Sequence, residues 1–227
     1  MTRAVVPIML LDNGELLHQG ERTTFTMPLL PLETYIAPDD LLETSLIPEA
    51  DSASWWVLHT RPRAEKSLAR HLLGRNLSYF LPLYQRQWRS RGRVFRSYMP
   101  LFPGYIFLHG DAESRLHALT TNQVVRTLAV ADPDGLRADL VRVHRMMQAG
   151  MLLAPEEQLQ PGTAVEVVAG PLAGLEGKIL RRGKELRFFV EVRLLQCGVS
   201  VEIEGWMIRP LSSDLGGEKV RRGELIA

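Results

Sequence analysis

The sequence predicts an α+β fold: an antiparallel sheet flanked by helices, then a linker and a small SH3-like β-barrel. Three observations predict it. Between residues 54 and 153 the patterning alternates in the order β-α-β-β-β-α-β-α, which suits a sheet with helices packed on it. Between residues 161 and 211 short β-rich runs are separated by glycine turns, a spacing and size typical of small barrels. Residues 1–53 show neither period and are broken by Pro7, Pro28, Pro31, Pro38 and Pro48. The expected organisation is therefore an acidic, proline-interrupted extension (1–53), a first domain (54–153), a linker (154–160), a barrel (161–211) and a flexible tail (212–227).

Each element has a local reason. Trp55–Thr60 is aromatic and β-branched and reads as a buried strand. Arg61-Pro62 opens a helix running to about Asn76, with Ala64, Leu68, Leu72 and Leu73 on its inner face. Tyr79–Trp88 and Val94–Pro100 read as strands around a charged tip, Arg89–Arg93. Phe102-Pro103-Gly104 is a turn feeding the buried strand Tyr105–Leu108. A short helix near Ala112–Leu119, a strand over Val124–Val130, a turn at Asp132–Gly135 and a helix over Leu140–Leu153 complete the domain. Val165 and Val167, then Gly177–Leu180, then a hairpin of Leu186–Leu195 and Val199–Ile203 around Cys197-Gly198 supply the barrel strands. The leader is expected to be largely disordered alone, with Met27–Leu32 apolar enough to serve as a docking peptide.

Composition narrows the function. The 227 residues are 45% hydrophobic and 23% charged, enough for a sizeable core. No uncharged apolar run is long enough for a transmembrane helix and the N-terminus lacks a secretory pattern, so a cytoplasmic protein with no membrane partner is expected. The formal charge of +1 averages three unlike segments: −7 over residues 1–53, +9 over 54–150 and −1 over 151–227, counted from the sequence. A basic middle domain is hidden behind an acidic leader.

Catalytic chemistry is not indicated. The six histidines never pair at helical metal-ligand spacing, and a single cysteine, Cys197, excludes disulfide and multi-cysteine zinc frameworks. Gly170–Lys178 lacks the residues of a phosphate loop. Carboxylates are sparse in the basic domain, leaving few acid–base pairs. No enzyme activity, metal or cofactor is expected.

What stands out is arginine. Arg61, Arg63, Lys66 and Arg70 gather on the first helix and its entry, and Arg86, Arg89, Arg91, Arg93 and Arg96 on the hairpin. Guanidinium groups keep their charge and fork onto phosphates, so both clusters are candidate nucleic-acid contacts, with a solvated surface as the plain alternative.

The run Trp55–Leu58, the motif Pro100-Leu101-Phe102-Pro103-Gly104-Tyr105-Ile106-Phe107, and the C-terminal pattern Pro161-Gly162, Val165, Val167, Gly170–Gly174 and Gly177 resemble the NusG family of transcription elongation factors. The last pattern resembles that family's KOW element. The resemblance implies a bacterial, monomeric elongation factor whose N-terminal domain docks on the clamp helices of RNA polymerase. It implies docking residues Trp56, Tyr79, Phe80, Leu81, Phe102 and Tyr105. The segment holding His117, Thr120 and Thr121 resembles the polymerase gate-loop contact of RfaH-like specialised members. Arg61, Arg63, Lys66 and Arg70 fall where such members meet the non-template DNA strand, while Arg89, Arg91 and Arg93 are nucleic-acid candidates from their clustering alone. Leu172 and Leu175, on a loop expected to be exposed, are candidates for binding a termination factor or a small-subunit ribosomal protein.

The resulting expectation is a factor that suppresses pausing and termination, as a specialised antiterminator. The alternatives are a general NusG that couples polymerase to the ribosome or to termination, and a ribosome-associated KOW protein that binds RNA. The long acidic leader departs from the family pattern. It is expected to serve a private partner or to fold back on the basic face.

Overall fold

The computed structural model describes residues 32–43, 53–158 and 162–211. The Met27–Leu32 docking stretch and the tail lie outside them, apart from Leu32 itself. Strands β1 (Ile36–Ala37), β3 (Ser78–Phe80), β6 (Tyr105–Gly110), β2 (Ser54–Thr60) and β7 (Val124–Leu128) form one antiparallel sheet, in that spatial order. Helices α1 (Glu65–Leu73) and α2 (Ala112–Thr120) are associated with one face. There Leu58, Tyr79, Ile106 and Leu108 meet Leu68, Leu72 and Ala118. Helix α3 (Pro133–Gln148) lies on the other face, where Val57, Phe80 and Phe107 meet Leu136, Leu140 and Val143.

Four local features depart from the sequence expectation. Part of the leader is ordered: β1 pairs with β3, and Ile36, Leu41 and Leu42 are buried in the α3-side core. Their apolar side chains, together with a hydrogen bond from Arg137 Nη2 to the Leu42 carbonyl (3.1 Å), hold a segment that composition alone reads as loose. Helix α1 begins at Glu65 rather than at Arg61, because Arg63 sits at φ 63°, outside helical space. Asp132–Gly135 is the start of α3 and not a free turn. The Asp132 side chain accepts from the Gly135 N–H at 2.9 Å with Pro133 in the first turn, and turn residues and cap residues are the same types. The long strand expected over Tyr79–Trp88 is broken at Leu81-Pro82, so β4 (Leu83–Ser90) leaves the sheet and pairs only with β5 (Arg93–Pro100). The Arg91-Gly92 tip has positive φ at both residues, 48° and 76°, as the tight two-residue hairpin turn requires.

The C-terminal region forms a six-stranded antiparallel sheet in the order β13 (Ile208–Pro210), β9 (Thr163–Val167), β10 (Glu176–Arg182), β11 (Glu185–Val192), β12 (Cys197–Glu202), β8 (Ala154–Glu156). It is all-β, as expected, but no ladder joins β13 to β8, so the described strands do not make a closed barrel. Residues 154–156, expected as linker, form the edge strand β8 on β12. The β11–β12 reversal lies at Arg193–Gln196, with Gln196 at φ 55°. Gly198 is inside β12, where an added Cβ would come within 2.3 Å of the Val190 carbonyl. Cys197 is half-buried and its thiol is pushed up to about 11 by burial, leaving little thiolate for chemistry.

Helix α3 is shared by both sheets. Its buried Asp139 accepts from the Arg193 backbone N–H (3.0 Å) and from Arg193 Nε (3.2 Å) and also pairs with Arg142. Arg145 Nη2 donates to the Ala173 carbonyl at 2.9 Å. One hydrophobic cluster therefore runs from Phe107 through Val143 to Phe188 and Val190.

Candidate nucleic-acid interface

The Phe102-Pro103-Gly104 turn organises the site. Phe102 is buried edge-on against Phe107, centroids 6.0 Å apart. Gly104 has φ 83°, a conformation that a side chain disfavours. Its N–H donates to Glu65 Oε1 at 2.7 Å and its carbonyl accepts from the Thr60 N–H at 2.8 Å. The turn thus joins the end of β2 to the start of α1. Glu65, at the start of this helix, is spent on that joint and buried, whereas Glu157, the other carboxylate beside the helix entry, is exposed.

Beside the turn lies a groove of about 790 Å³. Arg63 and Lys66 form one wall, Tyr84, Arg86 and Met99 of the hairpin another, with Pro103 at the rim. Arg86 of the hairpin cluster therefore meets Arg63 and Lys66 of the helix cluster along one depression, which the other members of the two clusters do not line. Arg61, Arg63, Arg89, Arg91 and Arg93 are exposed and Lys66 is half-buried. None of these six takes part in an ion pair among the described residues. Arg70 differs: its Nη1 is 3.6 Å from Glu33 Oε2 of the leader.

The implied polymerase-docking residues do not form one open face. Tyr79, Phe80, Leu81 and Phe102 are core side chains, because alternation along β3 and the turn points them into the layers between sheet and helices. Trp56, Tyr79 and Leu81 belong to the α1/α2 side, whereas Phe80, Phe102 and Tyr105 belong to the α3 side. Only Trp56 and Tyr105 stay half-open. Trp56 Nε1 donates to the Gly110 carbonyl at 3.0 Å, and the Arg115 guanidinium lies 4.9 Å from its ring centre. The Tyr105 ring lies 5.2 Å from that of His59. The leader closes the β3 edge: the Leu81 N–H donates to the Tyr35 carbonyl (2.6 Å) and the Tyr79 hydroxyl to the Thr34 carbonyl (2.8 Å). Burial, with Glu33 nearby, pushes the Tyr79 phenol up to about 12.

His117, Thr120 and Thr121 sit together at the C-terminal end of α2. Thr120 Oγ1 donates to the His117 carbonyl (2.8 Å) and Thr121 Oγ1 to the Ala118 carbonyl (2.7 Å), so both hydroxyls cap the helix. The His117 ring lies between Glu113 (3.5 Å) and Arg75 (3.2 Å). Leu172 and Leu175, expected to be exposed, are buried. The loop folds on itself through Ala173 N–H to Gly170 O and Gly174 N–H to Val167 O, turning both leucines into the core shared with α3.

Sequence reading named Arg86 but missed Tyr84 and Met99, which complete its wall of the groove. Its signal was the two-residue period of Tyr84, Arg86 and Trp88, which places them on one face once the hairpin register is known.

Comparison with curated proteins returns no significant match. Among solved structures, the chain is similar to Thermotoga maritima NusG, described for its domain interaction, with 16% identity over 70% of this chain and 98% of that one, TM-score 0.43. It is also similar to the MjSpt4:Spt5 complex, with 15% identity over 70% and 97%, TM-score 0.22. Residues 53–143 match the family described as "Transcription termination factor nusG". That span holds β2 to most of α3, including the turn, the hairpin and the groove's lining apart from Pro155 and Glu157, so the likeness to the NusG family is carried by this one domain.

Proposed function

We propose that this chain is a transcription elongation factor that binds RNA polymerase through its 53–143 domain and holds nucleic acid in the groove beside the Phe102–Gly104 turn, acting as a specialised antiterminator. The observation that carries the reading is the coincidence of the family match with the groove: one domain supplies all three of its basic residues, Arg63, Lys66 and Arg86, and all of its lining but Pro155 and Glu157. The mechanism is bracing. A factor that binds the active polymerase more tightly than the paused one shifts the population toward elongation, and unpaired cations next to the docking site add affinity for the DNA held there. The end of α2, with His117, Thr120 and Thr121, is the proposed gate-loop contact.

Clamp docking along the β3 edge, beside the buried Tyr79 and Leu81, requires the segment 32–43 to leave that edge, which makes this segment a competitor for it. Deleting residues 1–52 should then raise affinity for polymerase and DNA at low salt; unchanged affinity removes the competition. A termination factor or ribosomal protein would need a surface of the C-terminal sheet other than the buried Leu172 and Leu175.

The test is capture of core RNA polymerase followed by a pausing assay on defined templates. Capture with shortened pauses and read-through is expected. Capture with increased termination would favour the general role, to which the family description points. Failure to bind polymerase overturns both.

A further inference from the structure

We propose that the β4–β5 arm is a stacking platform for single-stranded nucleic acid, with Trp88 and Phe95 receiving bases and Arg86 and Arg93 holding the flanking phosphates. The hairpin register builds it. Tyr84 pairs with Met99, Arg86 with Ser97, Trp88 with Phe95 and Ser90 with Arg93, and directly opposed residues share a face of the ladder. Aromatic and cationic groups therefore alternate along one face. The opposite face carries Gln87 against Arg96, with Arg96 Nε donating to Gln87 Oε1 at 3.1 Å.

Trp88 and Phe95 are stacked, ring centres 5.6 Å apart and planes 14° from parallel. Among the described residues neither strand pairs with any other element, and neither ring belongs to a buried core cluster. Trp88 stays 41% exposed. An aromatic pair of this kind at the end of a solvent-exposed arm offers flat apolar surface to something from outside.

Charge says what. Residues 83–100 contain five arginines and no carboxylate, so the arm attracts a polyanion. A duplex would satisfy the arginines while keeping its bases stacked on one another. Only unpaired bases use both features, each stacking contact being worth about 1–3 kcal/mol, or roughly 5- to 150-fold in affinity. The platform is also continuous with the groove, since Tyr84, Arg86, Ser97 and Met99 line it together with Arg63 and Lys66. From Tyr84 to Ser90 the face extends for about 20 Å at the usual strand rise.

The inference rests on the nucleic-acid part of the proposed function and names the form of nucleic acid. Its test uses the full chain alone, so failure to capture polymerase leaves it standing. Fluorescence anisotropy would compare labelled oligo-dT, oligo-rU and a duplex, each on the order of 12 nucleotides long, within the usual site-size range. Both single strands should bind more tightly than the duplex. A preference between them identifies DNA or RNA as the natural source, and equal affinity supports the shared chemistry.

Trp88→Thr, which keeps a strand-favouring side chain, should weaken single-strand binding by about 5-fold or more and leave duplex binding unchanged. Trp88→Tyr should restore most of it. Arg86→Gln should lower the log-affinity versus log-salt slope by roughly one contact, whereas Arg96→Gln, on the other face, should change it less. Duplex binding as tight as single-strand binding, wild-type affinity in Trp88→Thr, failure of Trp88→Tyr to restore binding, or equal losses from Arg86→Gln and Arg96→Gln would each overturn the proposal.

Discussion

The five-stranded sheet and the β4–β5 arm are built from the same kind of alternating strand, yet they end in opposite states. Both faces of the sheet are covered, by α1 and α2 on one side and α3 on the other. Phe80 and Phe107 are fully buried there, centroids 6.4 Å apart. The arm has a comparable aromatic pair, Trp88 and Phe95, and covers neither with a helix. The difference is set by Pro82, which cannot donate to a ladder and separates β3 from β4, and by the arginines, which keep the arm in water. Aromatic content alone does not make a core; the layer that covers it does.

The largest effect should come from breaking the sheet. Phe107→Ala removes a ring that touches both Phe80 and Phe102 and should cost about 3–5 kcal/mol in denaturant unfolding, as buried aromatic truncations do. Next comes the joint to the C-terminal sheet. Asp139→Asn takes charge from a buried carboxylate that accepts from Arg142 and from two Arg193 donors, and should cost roughly 1.5–3 kcal/mol. Hydrogen exchange should locate the loss at α3 and β11.

Trp88→Thr, in contrast, should change global stability by less than about 1 kcal/mol, the scale of an exposed cross-strand pair, while altering binding. A loss comparable to that of Phe107→Ala would mean that the arm is part of the core after all.

A graded effect comes from pH. Burial lowers the pKa of His144, with Glu43 opposing, and lowers that of His109, with Arg137 assisting. The unfolded chain then binds more protons than the folded one as pH falls through the ordinary histidine range near 6.5, so stability is full above that range and declines below it. Both residues pack in the sheet region, His144 against Tyr35 and Phe80 and His109 against Trp55, and the arm contains no histidine. Thermal unfolding at neutral and mildly acidic pH should show the decline, and His144→Gln should reduce it.

The central strands, all three helices and the all-β C-terminal region were legible because each has a local period or turn residue of its own. Gly104 could be read as a required glycine from its turn, and Trp55, Val57 and Phe107 as buried from the aromatic and β-branched runs that hold them. What could not be read was contact between distant segments. Ile36, Leu41 and Leu42 sit in a proline-broken run whose apolar residues acquire meaning only once α3 and β3 are beside them. Leu172 and Leu175 lie on a glycine-rich loop that local sequence marks as exposed, and the covering helix is some thirty residues away in the chain. The arginine clusters were visible, but the meeting of Arg86 with Arg63 and Lys66 in one groove beside Tyr84 and Met99 depends on how the hairpin leaves the sheet.

The shared helix also bears on how the two halves of the chain could part. By helical spacing Leu136, Val143 and Met146 lie on the stripe of Asp139, and all of them are buried. If the C-terminal sheet swung away, Asp139 and the part of that stripe not covered by the first sheet would meet water unless another surface replaced it. Separation is therefore an exchange of partners rather than a loosening, and a fragment ending just after α3 should be prone to self-association.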